Sequence, residues 1–149
     1  MKIHLATDHA GLDIKNEIKM YLSNGGHHVI DHGAYEYDPL DDYPDFIFPC
    51  ANSVSSDPQS KGIILGGSGQ GEAMAANRIK GIRAAVYYGG DIEIVKLSRR
   101  HNDANILSIG ARFLSKEKIF SMLETWLKEP FSGGRHQIRL NKLDNFHVN

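Results

Sequence analysis

Short apolar runs alternate along the chain with longer stretches in which apolar residues recur at helical spacing. The runs predict five strands, at residues 3–6, 28–30, 62–65, 84–88 and 106–109. The spaced stretches predict five helices, near residues 12–22, 44–55, 73–78, 91–100 and 119–127. In the second of these helices Pro49 predicts a kink, or a start delayed to about Cys50, because proline cannot donate a helical hydrogen bond.

This alternation predicts an α/β fold with a five-stranded parallel sheet and helices on both of its faces. The 149 residues fit a single domain, 1–149. Gly133-Gly134 precedes a C-terminal tail, from about residue 133, that is expected to be helical. In a helix Arg135 and Arg139 lie one turn apart and share a face.

In proteins with a parallel sheet, ligands bind beyond the carboxyl ends of the strands. The loops at those ends are therefore candidates for a functional site. The first strand is followed there by Asp8-His9 and the third by Ser68–Glu72. The fourth ends near Tyr88, and the fifth is followed by Gly110-Ala111-Arg112.

Glycines dominate the loop after the third strand, Gly66-Gly67-Ser68-Gly69-Gln70-Gly71-Glu72. The loop opens a helix, so its amide groups and the helix dipole favour a negative charge, either a phosphate or a developing oxyanion. It is not a nucleotide-binding P-loop, because Glu72-Ala73 occupies the place of the lysine and the hydroxyl residue. The dinucleotide-binding spacing of glycines is absent as well, and Gln70 is incompatible with a nucleophile elbow around Ser68.

Glu72 is a carboxylate at the mouth of this loop, an arrangement suited to removing a proton beside a carbonyl group. The carboxylate would take the proton from carbon, and the loop would stabilise the resulting enediolate oxygen. From spacing alone, an ordinary acidic residue in the first turn of a helix is an equally good interpretation, because the helix dipole favours it.

Charge and composition exclude several classes of partner. The 17 basic and 18 acidic residues give a net charge of -1, so the chain lacks the basic field that nucleic acid or an anionic membrane would require. Cys50 is the only cysteine and lies among apolar residues, which predicts a core position and no intramolecular disulfide. Without a signal-peptide pattern or a long apolar stretch, the sequence predicts a cytoplasmic protein.

Eight histidines make a metal site conceivable, but the one His-x-x-x-His spacing, His28 to His32, crosses a strand and a loop. We therefore expect no metal site. Five of the histidines are expected to be structural or surface residues: His4, His27, His28, His32 and His147. His9 and His101 lie near the ends of elements that could border the site, although a histidine is also favoured at a helix C-terminus for its partial charge.

Three arginines, Arg112, Arg135 and Arg139, are candidates for a phosphate clamp, because a guanidinium group binds phosphate oxygens with paired hydrogen bonds. For Arg135 and Arg139 the alternative is a solvated helix face.

Six motifs, in this order along the chain, resemble those of the ribose-5-phosphate isomerase B family. They are Thr7-Asp8-His9-Ala10-Gly11, Asp42-Tyr43-Pro44, Gly66–Glu72 with Ala75-Ala76-Asn77, Arg100-His101-Asn102, Gly110-Ala111-Arg112 and Arg135-His136-Gln137-x-Arg139. The resemblance extends from about residue 1 to residue 145.

The resemblance implies a Rossmann-like, three-layer αβα sandwich that interconverts ribose 5-phosphate and ribulose 5-phosphate without a metal or nucleotide cofactor. It also implies a homodimer whose active sites are shared between subunits, and some members of the family form tetramers. One branch of the family uses a cysteine base at the position of Gly66. This sequence resembles the other branch, in which a glutamate at the position of Glu72 transfers the proton.

The resemblance further implies roles for individual residues. Glu72 would transfer the proton, His101 would open the furanose ring, and Ser68 would stabilise the enediolate. The residues expected to contact the substrate all lie in the matching motifs: Asp8, His9, Tyr43, Gly67, Gly69, Gly71, Asn102, Arg112, Arg135, His136 and Arg139. Asp8 would bind sugar hydroxyls, whereas His9 and the three arginines would hold the phosphate.

Two alternatives remain open at the level of sequence. Related proteins isomerise six-carbon sugar phosphates such as allose 6-phosphate or galactose 6-phosphate. The first alternative is therefore the same isomerisation of a six-carbon sugar. A sugar-phosphate binding protein without catalysis would use the same fold, but it would have no need of a base beside an oxyanion loop.

Overall fold

The computed structural model describes residues 1–146, so His147 lies outside the described residues. The predicted order of strands and helices is confirmed. The strands are β1 (Lys2–Thr7), β2 (His28–Asp31), β3 (Lys61–Gly66), β4 (Ala84–Tyr87) and β5 (Ile106–Gly110). The helices are α1 (Leu12–Asn24), α2 (Pro44–Ser56), α3 (Gln70–Ala76), α4 (Ile92–Arg100), α5 (Lys116–Lys128) and α6 (Arg135–Asp144). A single 3-10 turn, His9–Gly11, connects β1 to α1.

All five strands are parallel and lie in the order β2-β1-β3-β5-β4, which confirms the predicted parallel sheet. The register aligns the carboxyl ends of the three central strands, because Thr7 pairs with Leu65 and Leu65 pairs with Ile109. The loops that follow β1, β3 and β5 therefore begin side by side.

Helices cover both faces of the sheet and bury a separate apolar core on each. On one face α1, α4 and α5 pack around Trp126, which is fully buried. On the other, α2 and α3 pack around Ile47 and Cys50. Cys50 is a core residue, as predicted, and burial raises the pKa of its thiol far above the ordinary value.

Two helices differ from their predicted form. α2 runs without interruption through Pro49, because Pro49 and Asp45 are both exposed and water can hydrate the Asp45 carbonyl that proline leaves unpaired. α3 begins at Gln70 and ends at Ala76, earlier than predicted at both ends. Its end is set by Asn77, whose side-chain amide pairs with both main-chain groups of Ala84 at 3.0 and 2.8 Å.

The predicted C-terminal helix is present as α6, and it packs near the amino ends of β4 and β5. Arg83, just before β4, pairs with Asp144 at 3.3 Å, and Leu140 is buried. Within residues 1–146 there is no helix long and apolar enough to cross a membrane.

Candidate active site

Three loops meet beyond the carboxyl ends of the central strands. Asp8 follows β1, the glycine loop follows β3, and Arg112 lies two residues after β5. The glycine loop is also bonded to the third loop, since the Ala111 and Arg112 amides donate to the Gly66 and Gly67 carbonyls at 2.9 and 3.1 Å. This convergence is the consequence of placing β1, β3 and β5 side by side.

Glu72 lies in the first turn of α3 with its side chain enclosed, since only 4% of the residue is exposed. Burial raises the pKa of this carboxyl, its own backbone amide opposes that shift by hydrogen bonding to it, and the nearby negative charge of Asp8 raises the pKa further. A carboxylate with a raised pKa and little contact with water is suited to proton transfer.

Gly66, the last residue of β3, provides the space in which the Glu72 carboxyl lies. A Cβ atom at residue 66 would overlap the Glu72 carboxyl group, with Oε2 only 2.5 Å away. The two residues therefore form one unit: any side chain at position 66 would displace the carboxyl.

The backbone of the glycine loop is shaped to accept negative charge. Gly69 has a φ of 77°, a left-handed conformation that turns the chain into α3, and the Ser108 hydroxyl donates to its carbonyl at 2.5 Å. Within residues 1–146 the amides of Gly67, Ser68 and Gly69 donate to no acceptor. Ser68 accepts a long hydrogen bond, 3.3 Å, from the amide of Gln70. These groups can bind an oxyanion beside Glu72.

Arg112 and Tyr43 each lie against this loop. A Cβ atom at Gly67 would be 3.2 Å from Arg112 Nη1, so the guanidinium group lies directly over Gly67. A Cβ atom at Gly71 would be 2.8 Å from the Tyr43 hydroxyl. The side chain of Tyr43, at the start of α2, therefore borders the loop at Gly71.

His9 is held by an acidic residue that the sequence interpretation missed. Asp41 Oδ1 lies 2.6 Å from His9 Nδ1 and also accepts from the His9 backbone amide at 3.1 Å. This hydrogen bond raises the pKa of His9. The signal was the acidic loop after β2, which continues directly into the recognised Asp42-Tyr43-Pro44 motif.

Asp8, His9 and Asp41 offer ligand atoms within 4.8 Å of one another, so they are the residues that could hold a metal ion in the described part of the chain. His9 Nδ1 is already paired with Asp41 and Asp8 Oδ1 accepts from the amide of Ala10 at 3.0 Å. Hydrogen bonding within the protein therefore accounts for this cluster.

Five other predicted residues lie at the opposite end of the sheet, near α6: His101, Asn102, Arg135, His136 and Arg139. His101 caps the C-terminus of α4, and its ring stacks on that of His136 with centroids 4.1 Å apart. The segment after His101 leads into the amino end of β5, and Asn105 there accepts a hydrogen bond from the Arg83 amide at the start of β4.

The structure therefore separates the predicted residues into two groups. The carboxyl-end group contains Glu72, Ser68, Gly67, Gly69, Gly71, Asp8, His9, Tyr43 and Arg112. The amino-end group, on and beside α4 and α6, lies a strand length away, about 15 Å at roughly 3.3 Å per residue. Within one chain the second group cannot contact a small molecule that is bound by the first.

The fold is an α/β sandwich, and the site combines a buried carboxylate with an anion-binding loop. These two features together define a class of protein, the enzymes that move a proton next to a carbonyl group. The sequence matches the ribose/galactose isomerase family over residues 3–143. This chain belongs to that family.

Relatives with similar sequences match over nearly their whole length. Ribose-5-phosphate isomerase B of Mycolicibacterium paratuberculosis is 39% identical over 98% of this chain and 91% of the relative. A protein of Mycoplasma pneumoniae, described as a probable ribose-5-phosphate isomerase B, is 41% identical over 95% of this chain and 91% of its own length.

Solved structures give the same result. Ribose-5-phosphate isomerase B of Mycoplasma genitalium, with bound ribulose 5-phosphate, has a TM-score of 0.92 at 37% identity, covering 96% of this chain and 93% of that one. The enzyme of Clostridium thermocellum has a TM-score of 0.91 at 41% identity, covering 97% and 95%. The Rossmann-like αβα fold is thus confirmed.

Proposed function

We propose that this protein is an aldose-ketose isomerase that interconverts D-ribose 5-phosphate and D-ribulose 5-phosphate, a reaction of the pentose phosphate pathway. The observation that carries the proposal is the Glu72 carboxyl, buried and with a raised pKa, beside the free amides of the glycine loop. The relatives at about 40% identity bear the name of this activity.

Glu72 removes the proton from C2 of the open-chain aldose and returns it to C1, passing through a cis-enediolate. One carboxyl suffices because both carbons present their protons on the same face of the intermediate. Burial favours the protonated carboxyl between the two transfers, so the proton exchanges with solvent slowly and part of it returns to carbon. The amides of Gly67 and Gly69 and the Ser68 hydroxyl stabilise the enediolate oxygens.

The glutamate is the base in this mechanism, and not a cysteine at the position of Gly66. The absence of a side chain at Gly66 and the position of the Glu72 carboxyl against it support this assignment. The one cysteine, Cys50, lies on the buried face of α2 with a raised pKa, the opposite of what a thiolate base requires.

The active form is a homodimer in which the two groups of residues come from different subunits. Glu72 of one subunit then acts with His101 of the partner subunit, which opens the sugar ring. Arg135 and Arg139 are both exposed and form no ion pair within residues 1–146, so they are available to a phosphate bound to His9 and Arg112 of the other copy.

An uncovered face beside the edge strand β4 supports this arrangement. It contains a depression of about 590 Å³ lined by Gln70, Met74 and Tyr88, and a cavity of about 730 Å³ that reaches Asn102. Met74 and Tyr88 are 63% and 51% exposed, large apolar areas for a solvent-facing surface. A twofold axis across this face places the carboxyl end of one sheet against the amino end of the other.

The test is to incubate ribose 5-phosphate with the protein in deuterated water and follow the sugar by proton NMR. We expect formation of ribulose 5-phosphate, with at least partial exchange of the transferred proton. The variant Glu72→Gln keeps the size of the side chain but cannot accept a proton, and should lower kcat by about 1,000-fold or more. Wild-type turnover by that variant would exclude Glu72 as the base.

The family description also names galactose, so a six-carbon sugar phosphate is the second candidate substrate. Comparing kcat/KM for ribose 5-phosphate, allose 6-phosphate and galactose 6-phosphate decides between the two. Saturable binding without exchange of the C2 proton would instead indicate a binding protein. A cytoplasmic location, the absence of a cofactor and the choice between dimer and tetramer stay predictions.

A further inference from the structure

His9 and Asp41 come from different parts of the chain, 32 residues apart, and meet beside the glycine loop. His9 begins the 3-10 turn after β1, whereas Asp41 belongs to the loop between β2 and α2. A single oxygen, Asp41 Oδ1, accepts from both the backbone amide and ring Nδ1 of His9. An ionised carboxylate can only accept, so Nδ1 carries a proton in this geometry.

We propose that Asp41 is a positioning residue for the isomerase reaction: it holds the His9 imidazole doubly protonated and leaves Nε2–H to donate to the phosphate of the substrate. This inference rests on the proposed function, in which His9 contacts that phosphate. Asp41 itself touches neither the phosphate nor the reacting carbons.

The carboxylate of Asp41 forms hydrogen bonds with His9 and none with the loop to which Asp41 belongs, within residues 1–146. Its side chain is only 9% exposed, and Oδ2 is buried without a hydrogen-bond partner in residues 1–146. The loop is held by other contacts: the Asp41 amide donates to the Asp38 carbonyl at 3.2 Å, and Asp38 Oδ1 accepts from the Leu40 amide at 2.9 Å. A buried carboxylate whose partners are both on His9 is placed to act on that residue.

Electrostatics explains why the phosphate site needs this charge on His9. Three charged groups face the imidazole. The hydrogen bond that His9 donates to Asp41 raises the pKa of His9 most, partial burial opposes it, and the charges of Asp8 and Asp41 raise the pKa whereas Arg112 lowers it. Within its own subunit a phosphate bound here meets two carboxylates and a single arginine, Arg112, so a further positive charge beside it strengthens binding in addition to the proposed arginines of the other copy. A protonated His9 supplies that charge, and its side chain is 22% exposed, which lets Nε2 reach the ligand.

The variant Asp41→Asn tests the charge without changing the shape, because the amide oxygen can still accept from His9. At about pH 8 we expect KM for ribose 5-phosphate to rise about tenfold, with kcat within about twofold, as His9 loses its proton. At about pH 6 the variant should approach the wild type, since an unperturbed histidine is then largely protonated. Asp41→Ala loses the orientation as well, so its KM should be raised at both pH values.

Asp42→Asn is the matched control, because Asp42 is the adjacent exposed acid and its side chain forms no hydrogen bond to His9 within residues 1–146. It should match the wild type throughout. In a His9→Gln background, adding Asp41→Asn should cause no further rise in KM, whereas a merely structural role for Asp41 would add its own effect.

A second measurement does not depend on turnover. Nitrogen-15 NMR of the imidazoles, with His9 identified by the signal missing from His9→Gln, should give a higher titration midpoint in the wild type than in Asp41→Asn. An unchanged midpoint, or a changed midpoint with an unchanged KM profile, would overturn the inference. A wild type that does not isomerise the sugar would instead refute the proposed function. The NMR titration does not depend on turnover, so it would still show whether Asp41 raises the pKa of His9.

Discussion

At the scale of single residues, the candidate site depends on a residue that has no side chain. The Glu72 carboxyl occupies the volume that a Cβ atom at Gly66 would need. A buried carboxylate is costly unless it is hydrogen-bonded, and Glu72 has its own amide and the dipole of α3 as compensation. Gly66 thus fixes where the Glu72 carboxyl, the proposed base, lies and therefore which substrate atoms it would reach.

The substitution Gly66→Ala tests this dependence. The new methyl group would push the carboxyl away from its position, and a displacement of about 1 Å can lower kcat about 100-fold. We expect such a loss in kcat, with a circular dichroism spectrum that shows a folded protein. Gly25→Ala is the control, because its Cβ would meet its nearest neighbour at an acceptable 3.4 Å, far from the site. Full activity in Gly66→Ala would show that the Glu72 position has no catalytic importance.

At the scale of elements, the edge of the sheet at β2 contains a pair of histidines, His4 and His32, whose pKa values burial lowers. His4 Nδ1 in β1 lies 2.9 Å from His32 Nε2, just after β2, and the other ring nitrogen of His4 is buried without a partner in residues 1–146. Burial, and then the neighbouring His32, lowers the pKa of His4 from 6.5 to about 4. Protonation of His4 would place a charge in this buried position, so the neutral form of His4 is the one that the fold favours.

This pair should make stability depend on pH. The folded pKa of His4 is below the unfolded value, so its contribution is complete above about pH 6.5 and is lost as the pH falls towards 4. We expect urea unfolding to show a loss on the order of 1–2 kcal/mol between about pH 7 and pH 4.5 that His4→Gln largely removes. His28→Gln, at an exposed position of β2, should change the slope only slightly, because His28 is the smallest of the causes that shift the pKa of His4. Equal slopes in all three proteins would contradict this assignment.

At the scale of the whole molecule, the two groups of predicted residues lie at opposite ends of the sheet. The proposed mechanism, in which both groups act on one substrate, therefore requires a second subunit. The α4 C-terminus carries His101 to the amino ends of the strands, because a helix that connects parallel strands runs antiparallel to them. The motif order along the chain cannot reveal this separation.

Hybrid dimers test the shared site directly. Co-expression of Glu72→Gln and His101→Asn chains with different tags allows the hybrid to be purified. If each site combines Glu72 of one subunit with His101 of the other, the hybrid has one intact site and should show about half of the wild-type activity, while both parent dimers are nearly inactive. If each site were formed within one chain, no intact site would exist and the hybrid would be as inactive as its parents.

Part of the candidate site was predictable from sequence, namely the residues that are neighbours along the chain. Glu72 and the glycines of its loop are adjacent in the chain, and the alternation of strands and helices places them at the carboxyl end of β3. Asp41 could not be found this way, because its partner His9 is 32 residues away and an acidic loop residue has no characteristic spacing. The extent of α3 was mispredicted for the same reason, since Asn77 ends it by bonding to Ala84 across a turn.

The sequence by itself determined the fold class and the chemistry that is available, because hydrophobic periodicity specifies strands and helices and short motifs specify charge and flexibility locally. Only the tertiary structure decided which of those groups act together. Burial of Glu72 against Gly66, the pairing of His9 with Asp41 and the separation of His101 from Glu72 all depend on contacts between distant segments. Such contacts arise from strand order and packing, which no local pattern in the chain encodes.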